Sequence, residues 1–151
     1  MSNQTLELNF QKAVKKKEAT IIKLQVNQHA HTSMPGDYWI QTKDLEIIVE
    51  CKEINCYKKR SSLPRFDIKR FTQEYKMKLW QNSWSRNKGF LFVVFWYGRI
   101  KSSRSFLIPL DVWLERKKSF TKRCLMEDDM YEIFKDCLDN DWTLNWRKLK
   151  C

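Results

Sequence analysis

The feature that most constrains this chain is the stretch from residue 89 to 97, where Phe90, Leu91, Phe92, Val93, Val94, Phe95 and Trp96 follow one another without a polar residue. The run is too short to span a bilayer, and its β-branched and aromatic residues read as a strand. Successive side chains of a strand point to opposite faces, so a strand that is apolar at every position must be covered on both sides. That predicts a central strand in a sheet with helices on each face, an α/β architecture.

The rest of the chain can supply the cover. Its 151 residues suit one domain, a size that buries about 70% of the surface of the unfolded chain. Hydrophobic residues at 42% and aromatics at 14%, against three Gly and three Pro, exclude a disordered or collagen-like chain. Residues 5–19 read as a helix with Thr5 as its cap and Leu6, Phe10, Ala13, Val14 and Lys17 along one side. Residues 20–26 read as a strand and 28–36 as a loop; 37–41 and 45–53 read as an antiparallel hairpin. A polar, basic loop follows at 55–66, then a helix capped by Asp67 with Ile68, Phe71, Tyr75, Leu79 and Asn82 on one side. After the apolar strand comes a strand at 104–110, and from residue 111 the pattern is helical. There Leu125, Met126, Met130, Ile133, Phe134, Cys137 and Leu138 make an apolar stripe. The order α-β-β-β-α-β-β and then helices predicts a mixed central sheet with flanking helices in a single domain, 1–151.

Charge narrows the partner. Twenty-nine Lys and Arg against 18 Asp and Glu give a net charge of +11, which suits a polyanion. No apolar run approaches the roughly 20 residues of a membrane span, and the first ten residues lack the apolar core of a signal peptide. Five cysteines with no CxxC pair fit neither a disulfide framework nor a zinc ribbon. The expectation is a protein with reduced thiols in the cytoplasm and no membrane partner. His29 and His31 form an H-x-H pair with no third or fourth ligand nearby, so a zinc site is not expected.

Chemistry enters at the hairpin. If it closes between Lys43 and Asp44, Gln41 faces Glu46 and Asp37 faces Glu50, with Cβ atoms ~5 Å apart. Like charges so placed repel, and a divalent cation turns the repulsion into a binding site. Glu50-Cys51-Lys52 is one of four acidic-x-Lys triplets; the others are Asp67-Ile68-Lys69, Glu74-Tyr75-Lys76 and Glu115-Arg116-Lys117. Only the first falls on an interior strand with an Asp at the matching hairpin position.

Pro35-Gly36-Asp37, a short hairpin and then Glu50-Cys51-Lys52 resemble the PD-(D/E)xK nuclease superfamily, and residues 6–97 follow that superfamily's α-β-β-β-α-β order. The resemblance implies that Asp37 and Glu50 bind Mg²⁺ with the Cys51 carbonyl as third ligand. It also implies that Lys52 orients or deprotonates the attacking water. Members often carry a Glu on the first helix; Gln11 is the nearest match here, as a natural residue or a deliberate inactivating change, and Glu7 is the fallback ligand. Gln73 resembles a polar residue that some members point toward the site.

Within the superfamily, the size of the chain and the placement of Gln11, Asp37, Glu50 and Lys52 resemble the small intron-encoded homing endonucleases. That implies a homo-oligomer, dimer or tetramer, cutting both strands of a long pseudo-palindromic DNA duplex. Holliday-junction resolvases share the acidic spacing, and a catalytically inactive DNA-binding protein on the same fold is a further reading, favoured by Gln11. Phosphate contacts are expected from Lys58, Lys59, Arg60 and Arg65, and DNA contacts from Arg99, Lys101 and Arg104 beside the last turn between strands. On this division residues 5–97 are the nuclease core and 98–151 an extension for DNA contact or oligomerisation. Met126, Met130, Ile133 and Phe134 would form the interface between copies or pack on their own sheet.

Overall fold

The structure is a computed structural model and describes residues 2–17, 19–24, 35–57 and 63–146. It is α/β, with a five-stranded mixed sheet and helices on both faces. The first helix, α1 (Ser2–Lys15), leads into β1 (Thr20–Lys23), β2 (Tyr38–Gln41) and β3 (Glu46–Asn55). A short strand β4 (Arg65–Asp67), a 3₁₀ turn (Ile68–Arg70) and α2 (Glu74–Asn82) carry the chain to β5 (Asn87–Trp96). Then come β6 (Arg104–Pro109), α3 (Leu110–Lys117), β7 (Cys124–Met126) and α4 (Glu127–Phe134). The sheet order is β1-β2-β3-β5-β6, while β4 and β7 pair separately.

The apolar run is the central strand that its pattern predicts. β5 lies parallel to β3, from Glu46 opposite Asn87 to Asn55 opposite Trp96, and antiparallel to β6 on its other side. The crossover through α2 is what a parallel pair requires. Phe90, Phe92, Val94 and Trp96 pack with Leu6, Phe10 and Val14 of α1 and with Trp142, Leu144 and Trp146 near the C-terminus. Leu91, Val93 and Phe95 pack on the opposite face against Met77, Trp113, Met130 and Phe134.

Several expectations change. The first helix ends at Lys15, and Lys17 is exposed rather than part of the buried side. Asp67 does cap, accepting from the Lys69 N–H at 3.0 Å, but what it caps is the 3₁₀ turn. Because α2 starts afresh at Glu74, the spacing counted from Asp67 does not carry through. Phe71 is buried before the helix and Met77 within it, while Tyr75 and Leu79 are 71% and 54% exposed. The C-terminal stripe is split between β7 and α4, and Met130 and Phe134 are fully buried in this chain's own core. Beyond residue 137 the chain is irregular: the Asp139 carboxylate accepts from Thr143 and Leu144 N–H groups, holding Trp142 and Leu144 at positive φ.

Candidate active site

The site is built where β2 stops and β3 continues. The observed register pairs Gln41 with Glu46 and Tyr38 with Val49, as closing the hairpin between Lys43 and Asp44 requires. At Asp37 the ladder falls out of step. Its N–H donates to the Val49 carbonyl at 2.9 Å, so Asp37 and Tyr38 both stand against one residue, the pattern of a β-bulge. Its carbonyl accepts from the Leu24 N–H at 2.8 Å, and its carboxylate Oδ2 accepts from the Cys51 N–H at 2.8 Å. Asp37 is thus pinned to both neighbouring strands, with Oδ1 left over.

Alternation along β3 distributes the rest. Val49 and Cys51 turn their backbone groups toward β2, so the Cys51 carbonyl projects beside its N–H at the open end of that strand. Glu50 and Lys52 share the opposite face. Their ion pair is 3.0 Å long, with the two side chains only 7% and 16% exposed.

The electrostatics are those of charge held against its preference. Burial raises the Glu50 pKa above the usual carboxylate range, the Asp37 charge adds to the rise, and Lys52 opposes it. Burial likewise raises the Asp37 pKa, opposed by the Cys51 N–H and Lys52 and reinforced by Glu7. Burial pushes the Cys51 thiol well up, with Asp37 next in effect, so the thiol is neutral and only its main-chain carbonyl is an oxygen donor.

A cavity of about 260 Å³ opens beside Asp37, lined by Glu7, Lys23, Cys51, Glu53 and Arg70 among others. Glu7 pairs with Lys23 at 3.1 Å. Gln11 does not line this cavity; its side chain meets Tyr38, whose hydroxyl pKa is raised chiefly by burial. Of the two α1 candidates, Glu7 therefore lies at the cavity and Gln11 one turn away. Gln73 precedes α2 and is also outside the cavity lining.

The structure brings Asp37, Glu50, Cys51 and Lys52 together. Among the described residues, no group of three or more His, Cys, Asp and Glu is arranged to hold a metal ion. The side chains therefore offer two carboxylates, and any further oxygen would come from the Cys51 carbonyl, water or a ligand. That donor set suits Mg²⁺, which takes one or two carboxylates and keeps its other positions for water and phosphate.

The predicted DNA contacts divide. Lys58, Lys59 and Arg60 lie outside the described residues, as do His29 and His31. Arg65, Arg99 and Lys101 are exposed. Arg104 is committed elsewhere: it lies 3.4 Å from Glu127, 3.6 Å from Asp128 and over the Tyr131 ring at 4.8 Å. Sequence reading missed Arg70, whose place in the cavity depends on a 3₁₀ turn that the periodicity did not reveal. Among the described residues no helix is long and apolar enough to cross a membrane. No protein-family model matches the chain, and no curated protein matches it.

Proposed function

We propose that this chain is a Mg²⁺-dependent DNA endonuclease with a PD-(D/E)xK-type core, acting on duplex DNA as a homing endonuclease in a homo-oligomer. The observation that carries the proposal is the pinning of the Asp37 carboxylate, through the Cys51 N–H, at the open end of β2 beside the buried Glu50–Lys52 pair. A sheet built for stability alone has no use for two desolvated carboxylates, both with pKa raised by burial and one, Glu50, raised further by the charge of the other. The order α-β-β-β, then α2 and β5 parallel to β3, supports the same reading.

In this reading Asp37 and Glu50 hold Mg²⁺, with the Cys51 carbonyl completing the protein's share. The ion supplies Lewis-acid polarisation of the phosphodiester and lowers the pKa of a water. Lys52, beside Glu50, orients the attacking water and balances the charge that grows on the phosphate oxygens. Water oxygen bonds to phosphorus as the bond to the leaving ester oxygen breaks, giving a phosphate monoester and a hydroxyl. Asp37, fixed by three main-chain hydrogen bonds, contributes geometry that need not reorganise.

A second reading is a DNA-binding protein that does not cut, which the contact of Gln11 with Tyr38, outside the cavity, favours. The test is cleavage by this chain and by Gln11→Glu of randomised duplex libraries and of four-way junctions, with Mg²⁺ and with chelator. Discrete duplex cuts that need the metal are expected. Symmetric cuts confined to junctions would make the protein a resolvase, and binding without cleavage by either chain would leave a DNA-binding module.

A further inference from the structure

We infer that Arg70 grips the phosphate of the bound DNA strand in the cavity beside Asp37, an inference that rests on the nucleic-acid reading above. The cavity walls carry Glu7, Asp37 and Glu53 against two cations, Lys23 and Arg70. Lys23 is paired with Glu7 at 3.1 Å, and Lys52, which is not in the cavity lining, is paired with Glu50 at 3.0 Å. Arg70 is exposed and, among the described residues, has no ion pair or hydrogen bond through its side chain.

The segment that carries Arg70 is nevertheless fixed. The Asp67 carboxylate caps the turn through Lys69 N–H and is held by Arg123 Nε and Nη2 at 2.9–3.2 Å. The Ile68 N–H donates to the Arg123 carbonyl at 3.0 Å, and Phe71 anchors the end of the turn in the core. A rigid mount with an uncommitted guanidinium, in a cavity where Glu7 already has a cation and Asp37 a main-chain donor, is arranged for an anion that comes from outside. Guanidinium matches a phosphodiester's two non-bridging oxygens through a planar, two-pronged contact that an ammonium cannot reproduce. A phosphodiester held there by Arg70 would approach the Asp37 carboxylate, and a divalent cation held by Asp37 would offset the repulsion between the two anions. Arg70 thus determines where along the strand the reacting phosphate rests, while the dispersed surface cations supply affinity without position.

The test follows the arginine Nε–H signals in ¹⁵N–¹H spectra while a random-sequence DNA duplex is added with Ca²⁺, the Arg70 signal being assigned by its loss in Arg70→Lys. A shift of that signal on DNA addition is expected, and it should survive in Asp37→Asn. In parallel, Arg70→Ala should lower single-turnover cleavage with Mg²⁺ by about 10²-fold. Its duplex affinity should fall less than about tenfold, since one phosphate contact among many is lost, and Arg70→Lys should recover part of the rate. An Arg70 signal unmoved by DNA overturns the inference whatever the cleavage result, as does Arg70→Ala cutting at the parent rate. A shifted signal in a protein that never cuts would sink the hydrolase reading and leave the phosphate site standing.

Discussion

Asp37 shows how one residue's chemistry depends on a break in a ladder. Its carboxylate keeps a main-chain donor only because the register slips by one at the end of β2. A carboxyl whose folded pKa is raised holds its proton in the folded chain at a pH where the unfolded chain has released it. Stability tied to Asp37 and Glu50 is therefore present below the unfolded values, about pH 4, and is lost as pH rises through the raised folded values. At neutral pH the pair subtracts from stability. Asp37→Asn keeps an acceptor for Cys51 N–H and leaves Lys52 its Glu50 partner, so without divalent cation it should melt above the parent near pH 7. The gain should vanish at about pH 4. Mg²⁺ should raise the melting temperature of the parent and not that of the variant. Thermal unfolding at the two pH values with and without Mg²⁺ checks this, and a variant less stable than the parent at neutral pH would contradict it.

The hairpin register and the central strand were legible in the sequence because each rests on strict period-two alternation; the expected facing of Asp37 and Glu50 was not, because the ladder slips by one at Asp37 and turns its carboxylate to the Cys51 N–H. The 3₁₀ turn was not, because Asp67 caps a three-residue turn as readily as a helix and the break at residues 71–73 resets the phase. So Tyr75 and Leu79, expected inside, are outside, and Arg70 could not be placed. The bulge at Asp37 left a faint sign in Gly36. A Cβ there would overlap Ile48 Cγ2 and sit 3.2 Å from the Val49 carbonyl oxygen. Ile48 is buried and stiff at χ1, so it cannot yield. Gly36→Ala should cost about 1–3 kcal/mol in urea unfolding and reduce metal-dependent cleavage by moving Asp37. Gly89→Ala meets Met77 Cγ and Sδ at 2.7–2.8 Å and Leu110 Cβ at 3.4 Å; because Met77 is unbranched and can turn about more bonds than Ile48, the change should cost less. Equal losses at the two glycines would remove the strain argument.

Across the whole molecule, the apolar C-terminal stripe is where the structure selects between two readings, since periodicity reports that a face is apolar but not what covers it. Phe134 stacks on Trp113 with centroids 5.7 Å apart inside this chain's own core. Phe134→Ala should lower stability by about 3–5 kcal/mol and leave the association state in analytical ultracentrifugation unchanged; dissociation of an oligomer at unchanged stability would return the stripe to an interface. Net charge acts at the same scale. Affinity for a duplex should fall steeply with salt as phosphate contacts release counterions, and Arg99→Ala and Lys101→Ala should each reduce the slope by about 1. Arg104, already neutralised by Glu127 and Asp128, should barely alter it when replaced. A flat salt response would remove the polyanion partner altogether.

The central claim is that Asp37 and Glu50 together bind the divalent cation that cleaves DNA. The most direct measurement is cleavage of a randomised duplex library by the parent, by Gln11→Glu and by Asp37→Ala placed in each background, with Mg²⁺ and with chelator. The account predicts discrete cuts that need Mg²⁺ and disappear in both Asp37→Ala chains while DNA binding persists. Full metal-dependent cleavage without the Asp37 carboxylate would contradict it.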